Sequence, residues 1–248
     1  MILNNGQLTK ERYVNCENQL VDIETPSRKH LRYTEIVVRA DKEEYSTDPE
    51  AMERVLNATK GKHVILRFET SNISEEIAKC VESMRLVSGL QVETKITSDV
   101  LKTMRSLVEK NTLTVMSISD DAEIEEETVQ LLVDLLKQNQ FHRMFLPDTR
   151  FCGTCSAALQ EIIASWRENS EEMIGKMIYC NQFSKFELSA TEFPFKECTE
   201  EEERKAKSAY PFAADWPRMT TISVRRNQDG SAIYCFSPPS FKSMFLFA

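Results

Sequence analysis

The chain has 248 residues, of which only 6 are glycine. That is well under the roughly 7% typical of proteins, so few positions let a backbone wrap a phosphate and glycine-rich nucleotide loops are not expected. Hydrophobic residues make up 41% and charged residues 28%, the composition of a globular rather than a disordered chain. With 31 basic and 39 acidic side chains the net charge is −8, which repels nucleic acid at long range.

The amino-terminal segment, residues 1–30, has neither a basic start nor an apolar stretch of signal-peptide length, and no run in the chain is long and apolar enough for a membrane helix. From residue 31 onward six segments fit one template, large-x-x-apolar-x-apolar. They are Tyr33, Ile36, Val38; His63, Leu66, Phe68; Val87, Leu90, Val92; Leu113, Met116, Ile118; Phe141, Met144, Leu146; and Ile174, Met177, Tyr179. Their first positions lie 24 to 33 residues apart, close to the roughly 20–29 of leucine-rich repeats.

Helical stripes fill the intervals. Met52, Val55 and Leu56 form the first, and Ile77, Cys80, Val81 and Met84 the second. Val100, Leu101, Met104, Leu107 and Val108 continue the series. Val129, Leu132, Val133, Leu135 and Leu136 follow, then Leu159, Ile162, Ile163 and Trp166. Such spacing puts each set on one face, which must be buried. Ser74 and Asp121, each followed by acids, read as helix starts, and Gly61 as a helix end. Strands joined through single helices pair in parallel.

After residue 180 the pattern changes. Residues 181–218 read as an irregular connection holding one short helix over Glu200–Ala209. Thr220–Arg225 and Ala232–Phe236 alternate around Asp229-Gly230, a hairpin signal because the turn needs positive φ, and Met244–Phe247 supplies a last strand. The expected fold is an α/β leucine-rich-repeat-like solenoid of about six irregular strand-helix units with a C-terminal β-hairpin cap. A doubly wound α/β sheet is the alternative, since both alternate strand and helix. Segment 1–30, the repeats 31–180 and the region 181–248 divide the chain, with the last two forming one continuous domain.

Alternate strand positions would face outward on the concave surface of such an array. Stepping by repeat, they are Val37, Arg67, Gln91, Ser117, Phe145 and Ile178, with Arg39, Glu69, Glu93, Ser119 and Pro147 in the neighbouring row. The mixed character of this surface suits a protein partner better than RNA. Arg39, Arg67, Glu69, Gln91, Glu93, Ser117, Phe145 and Ile178 are the candidate binding residues, with Phe145 and Ile178 as apolar anchors.

Chemistry is sparse. Cys152-Gly-Thr-Cys155 has the spacing of a zinc ligand pair or a redox dithiol, but it lacks a second pair, so Cys152 and Cys155 are weak metal candidates and no cofactor is expected. Of the histidines His30, His63 and His142, the last two fall at strand starts, where packing or capping is expected. No Gly-x-Ser-x-Gly, P-loop or His-Glu-x-x-His pattern occurs. Trp166 and Trp216 are expected in the core. Seven cysteines, an odd and scattered number, fit a reducing, cytoplasmic or nuclear compartment.

Two segments carry a resemblance. Ser156-Ala-Ala-Leu-Gln-Glu-Ile-Ile-Ala-Ser-Trp166, followed by a polar turn and Met177-Ile-Tyr179, resembles the helix, tryptophan, turn and strand of the nematode F-box-associated domain. Ile222-Ser-Val-Arg-Arg-Asn-Gln-Asp229-Gly230-Ser-Ala-Ile233 looks like that domain's closing hairpin. The resemblance implies the substrate-binding part of an F-box ubiquitin-ligase adaptor, a protein of the Ubl conjugation pathway that reaches a cullin through the Skp adaptor. No F-box is visible in the first 45 residues, and Glu168-Asn169 stands where the family usually has a glycine after the tryptophan. The expectation is therefore a non-enzymatic protein-recognition module. The alternatives are a zinc or thiol-redox protein using Cys152 and Cys155, and a scaffold with no ligase role.

Overall fold

The computed structural model describes residues 2–4, 7–10, 12–14, 20–22, 33–39, 49–119, 122, 124–147, 153–180, 195–209, 221–237 and 243–248. It is an α/β chain built on open sheet with seven helices among the described residues. Two compact units divide it, Met1–Glu123 and Ile124–Ala248, and the division falls inside the expected repeat region.

The amino-terminal unit begins with four short strands, β1 (Ile2–Asn4), β2 (Gln7–Lys10), β3 (Arg12–Val14) and β4 (Leu20–Asp22). The alternation follows: β5 (Tyr33–Arg39), α1 (Pro49–Thr59), β6 (His63–Phe68), α2 (Glu75–Ser83), β7 (Val87–Val92), α3 (Ser98–Glu109) and β8 (Val115–Ile118). The main sheet runs β2-β1-β5-β6-β7-β8. β5 to β8 are all parallel, each pairing with its successor. β1 joins β5 in parallel and β2 in antiparallel, while β3 and β4 form a separate pair.

Neighbouring helices touch in sequence, α1 on α2 and α2 on α3, so they line one face of the strands. That face is apolar because strand side chains alternate: Ile36, Val38, Val64, Leu66, Phe68, Leu90, Val92 and Met116 are all sealed from solvent. Each such side chain contributes about 1.5–3 kcal/mol through burial. Against them pack Val55, Ile77, Val81, Val100, Met104 and Leu107 from the predicted helical stripes, also buried. Ser74 caps α2 as its position implies, its hydroxyl accepting from the Ile77 N–H at 3.3 Å, and Thr97 does the same for α3 at Val100. The expected start at Asp121 lies outside the described residues.

The carboxy-terminal unit holds α4 (Glu126–Leu136), β9 (Arg143–Phe145), α5 (Gly153–Glu168), α6 (Ser170–Met173), β10 (Met177–Cys180), β11 (Lys196–Glu197), α7 (Glu200–Ala209), β12 (Thr221–Arg226), β13 (Ala232–Ser237) and β14 (Ser243–Phe247). Its strands run β11-β12-β13-β14-β10-β9. β9 and β10 are parallel, and every other pairing is antiparallel. The predicted short helix and closing hairpin are both present. Gly230 has φ +92°, as the Asp229-Gly230 turn requires, and Asp229 Oδ1 accepts from the Ser231 N–H at 2.8 Å.

Trp166 is buried and meets Phe247 edge-on at 6.4 Å between ring centroids. α7 closes a second cluster, where Ala206 packs with Val224, Tyr234, Phe236, Met244 and Leu246. At the start of α7, Thr199 and Glu202 form a capping box. The Thr199 N–H donates to Glu202 Oε2 at 2.9 Å and the Glu202 N–H to Thr199 Oγ1 at 3.3 Å. Arg226 donates to Glu202 Oε1 through Nε at 3.1 Å and Nη2 at 2.7 Å, tying α7 to β12.

Two lysines close helix ends by the same means. Lys110, just past α3, donates to the carbonyls of Val81, Glu82 and Met84 at 3.2, 2.6 and 3.2 Å. These carbonyls lie at the end of α2, where the Val81 oxygen also accepts from the Met84 N–H and a cation suits the dipole. Lys176, buried before β10, donates to the carbonyls of Gln138, Asn139 and Phe141 at 2.7, 3.4 and 2.7 Å. Burial pulls the proton affinity of both amines below the ordinary range.

Two outcomes are expected from these contacts. Lys176→Met should lower unfolding free energy in urea by about 2 kcal/mol, because the buried Phe141 carbonyl and the part-buried Gln138 carbonyl lose a charged donor; Lys110→Met, at a half-exposed site, should cost less. The Thr199 N–H first, then Arg226 and the Thr199 hydroxyl, hold the Glu202 carboxyl at about 2 instead of 4.5. Its contribution to stability is therefore complete above pH 4.5 and lost as pH falls toward about 2. Denaturant unfolding across that window should show Glu202→Gln with a weaker acid dependence than the wild-type chain.

Candidate functional site: the open face of the parallel strands

The strand positions that do not face the helices form three cross-strand rows in the amino-terminal unit. The middle row is Val37, Arg67, Gln91 and Ser117, each the direct partner of the next, and it is the row expected from the repeat template. Toward the strand starts lie Glu35, Ile65, Gly89 and Val115, likewise in register. Toward the strand ends lie Arg39, Glu69, Glu93 and Ser119. There the Glu69, Glu93 and Ser119 N–H groups donate to the Val38, Phe68 and Val92 carbonyls of the preceding strand. Strand-to-strand register thus places the predicted residues Arg39, Arg67, Glu69, Gln91, Glu93 and Ser117 on one continuous surface.

Arg67 is its centre. Its Nε donates to Gln91 Oε1 at 2.9 Å and lies 3.5 Å from Glu93 Oε1. Its Nη1 is 3.6 Å from Glu69 Oε1, and its Nη2 is 3.2 Å from Glu35 Oε1. Glu69 also accepts from Arg39 Nε at 2.6 Å. One guanidinium therefore spans three strands and three carboxylates, using the planar fork that distinguishes arginine from lysine. Among the described residues, three carboxylates, Glu35, Glu69 and Glu93, lie with two arginines, Arg39 and Arg67, on this face. Glu35 and Glu93 keep their side chains 44% and 43% exposed, so they remain accessible to a cation from outside.

The row at the strand starts is shaped by a missing side chain. A Cβ on Gly89 would come within 3.3 Å of both Ile65 Cγ1 and Val115 Cγ1, so the flanking aliphatic groups close over the glycine and make a low apolar strip beside Arg67. Glu35, Ile65 and Val115 were not among the expected site residues. Continuing the two-residue period by one step toward the strand starts would have found them.

Ile178 is corrected. Expected as an exposed apolar anchor, it is fully buried, while Ile174 is 55% exposed. β10 sends Ile178 and Cys180 into the core and leaves Met177 and Tyr179 half-buried. The template was therefore one residue out of phase at this strand, and a one-residue slip turns every side chain to the opposite face. Phe145 is half-buried and pairs with Tyr179 rather than Ile178. The two rings stack at 4.6 Å and 13°, and burial pushes the Tyr179 hydroxyl's pKa up.

The remaining candidates divide. Cys152 lies outside the described residues, as does the side chain of Cys155. Among the described residues no group of three His, Cys, Asp or Glu side chains could hold a metal ion. Burial pushes the thiols of Cys80 and Cys198 up to about 11, which suppresses the reactive thiolate at neutral pH. His63 and His142 are exposed rather than packed; His30 and Trp216 lie outside the described residues. No described helix is long and apolar enough to cross a membrane.

No family model, curated protein or solved structure matches the chain.

Arg67→Ala should lower stability by about 1 kcal/mol, the upper range for partly exposed ion pairs, because three carboxylates then face one another across adjacent strands. Added salt should recover part of that loss by screening them, and unfolding measured at low and high ionic strength checks both effects.

Proposed function

We propose that the chain is a non-enzymatic protein-recognition module that uses the open strand face around Arg67 to bind a partner presenting an arginine or lysine side chain. The observation that carries this reading is the arrangement of Glu35, Glu69 and Glu93 around one guanidinium, with Glu35 and Glu93 still open to solvent. Partner charges would be selected by complementarity, which contributes more to specificity than to raw affinity. The apolar strip of Ile65 and Val115 beside them offers area for the aliphatic stem of such a side chain.

A leucine-rich-repeat-like solenoid is the finer fold reading. Its support is the unbroken order β5-β6-β7-β8 with helices α1 to α3 packed side by side. A doubly wound sheet would instead reverse direction and place helices on both faces. Membership of a ubiquitin-ligase assembly, as the substrate-binding part of an F-box-like adaptor, rests on the Ser156–Trp166 and Ile222–Ile233 resemblance alone and belongs to the same proposal.

The test is comparative affinity purification with quantitative mass spectrometry, using wild-type chain, Glu93→Lys and Ser117→Arg. Glu93→Lys removes one carboxylate from around Arg67, so each variant is compared at matched folded fraction, its unfolding free energy being expected to move by no more than about 1 kcal/mol, the range of partly exposed ion pairs. Specific partners should be lost from both variants. Retention of the same partners by both would sink the open-face reading. Recovery of Skp and cullin with the wild-type chain supports the ligase part, and their absence beside other specific partners rejects it.

A further inference from the structure

The carboxylates around Arg67 are not equally committed. Glu69 accepts from Arg39 Nε at 2.6 Å, lies 3.6 Å from Arg67 Nη1, and keeps only 19% of its side chain exposed. Glu93 follows one strand further along the same row, and its backbone N–H is taken by the Phe68 carbonyl. Among the described residues the one ion-pair partner of its carboxylate is Arg67, whose Nε lies 3.5 Å away, and its side chain is 43% exposed.

Gln91 accounts for that separation. Arg67 Nε carries a single hydrogen, which it donates to Gln91 Oε1 at 2.9 Å. Glu93 Oε1, at 3.5 Å from the same nitrogen, receives Coulomb attraction without the hydrogen. Parallel register sets Arg67 directly beside Gln91, so the neutral amide reaches the guanidinium first, and Glu93, two residues further on, keeps both oxygens as acceptors. Such a carboxylate matches the planar fork of a second guanidinium in pairs, which a lysine ammonium cannot reproduce. On the other side of Glu93, β8 carries no charged residue, so an incoming cation meets the repulsion of Arg67 from one side only.

We propose, on the basis of the open-face reading, that Glu93 receives the partner's side chain, that this side chain is an arginine, and that Gln91 is the positioning residue that keeps Glu93 available by holding the Arg67 Nε–H. Without the Gln91 oxygen, Arg67 turns that hydrogen to Glu93 and closes the site from within. The effect of Gln91 on binding therefore passes through Arg67.

The experiment titrates the full chain, its glutamate carboxyl carbons isotopically labelled, with acetyl-Gly-Arg-Gly-amide and with the lysine and citrulline counterparts, following the carboxyl signals by NMR at low ionic strength, where ion pairs are least screened. Loss of one signal in Glu93→Gln assigns that of Glu93. The Glu93 signal should respond to the arginine peptide about threefold more tightly than to the lysine peptide, and the uncharged citrulline peptide should leave it in place. Gln91→Met should weaken arginine binding about threefold, within the range of an exposed ion pair, although it alters no charge. In an Arg67→Met background the same substitution should change nothing, and a merely structural effect of Gln91 would not show that non-additivity. The proposal is overturned, with the open-face reading left standing, by a response of Glu35 or Glu69 in place of Glu93, by equal affinity for the two cationic peptides, by unchanged binding in Gln91→Met, or by a loss that persists without Arg67. If no carboxyl of the open face responds to either cationic peptide, both fail.

Discussion

The strands of the amino-terminal unit seal one side of their alternation under helices and leave much of the other half-exposed, Val37 and Gly89 being buried there too, and the rest of that unit depends on this asymmetry. Val64, Leu66 and Phe68 alternate with Ile65, Arg67 and Glu69, so the helices that seal the first set leave the second on the opposite side, where it is half-buried. A polar cluster such as Arg67 with Glu35, Glu69 and Glu93 can exist only on a face without helices, where water continues to solvate its charges. Enclosed on both faces, the same four groups would meet a desolvation cost that their mutual attraction does not reliably repay. The binding surface proposed for this chain is thus a consequence of where the helices pack.

The carboxy-terminal unit solves the same problem differently. Its antiparallel strands are covered by α7 over Val224, Tyr234, Phe236, Met244 and Leu246, while Trp166 of α5 meets Phe247. Polar groups there are held singly, by specific partners: Glu202 by Thr199 and Arg226, Lys176 by three carbonyls, Asp229 by Ser170 and Ser231. Buried or crowded polar groups need such partners to offset lost hydration. Among the described residues of this unit, Trp166 Nε1 departs from that pattern, being buried without an acceptor.

Much of the site was legible because its residues recur at a constant phase along similar strands. Arg67, Gln91 and Ser117 align by template position, and parallel pairing converts equal phase into spatial adjacency. The same inference failed at Ile178, where α6 and the turn at Gly175 reset the phase before β10 and the template carried the old count forward. The lysine clasps were not legible at all. Lys110 and Lys176 look like solvated surface residues, and the carbonyls they satisfy belong to the end of a preceding helix and its loop, more than twenty residues away in sequence.

By itself, the sequence determined the alternation of strand and helix, the apolar stripes, the Ser74 cap, the short helix at Glu200–Ala209 and the hairpin at Asp229-Gly230. These features depend on periodicities and turn chemistry that act over a few residues. Only the tertiary structure decided that Arg67 lies among three carboxylates, that Ile65 and Val115 close over Gly89, and that Gln91 takes the Arg67 Nε–H with Glu93 close by. Those arrangements require strand register and helix packing to bring distant segments within a few ångströms, and no local pattern encodes such distances.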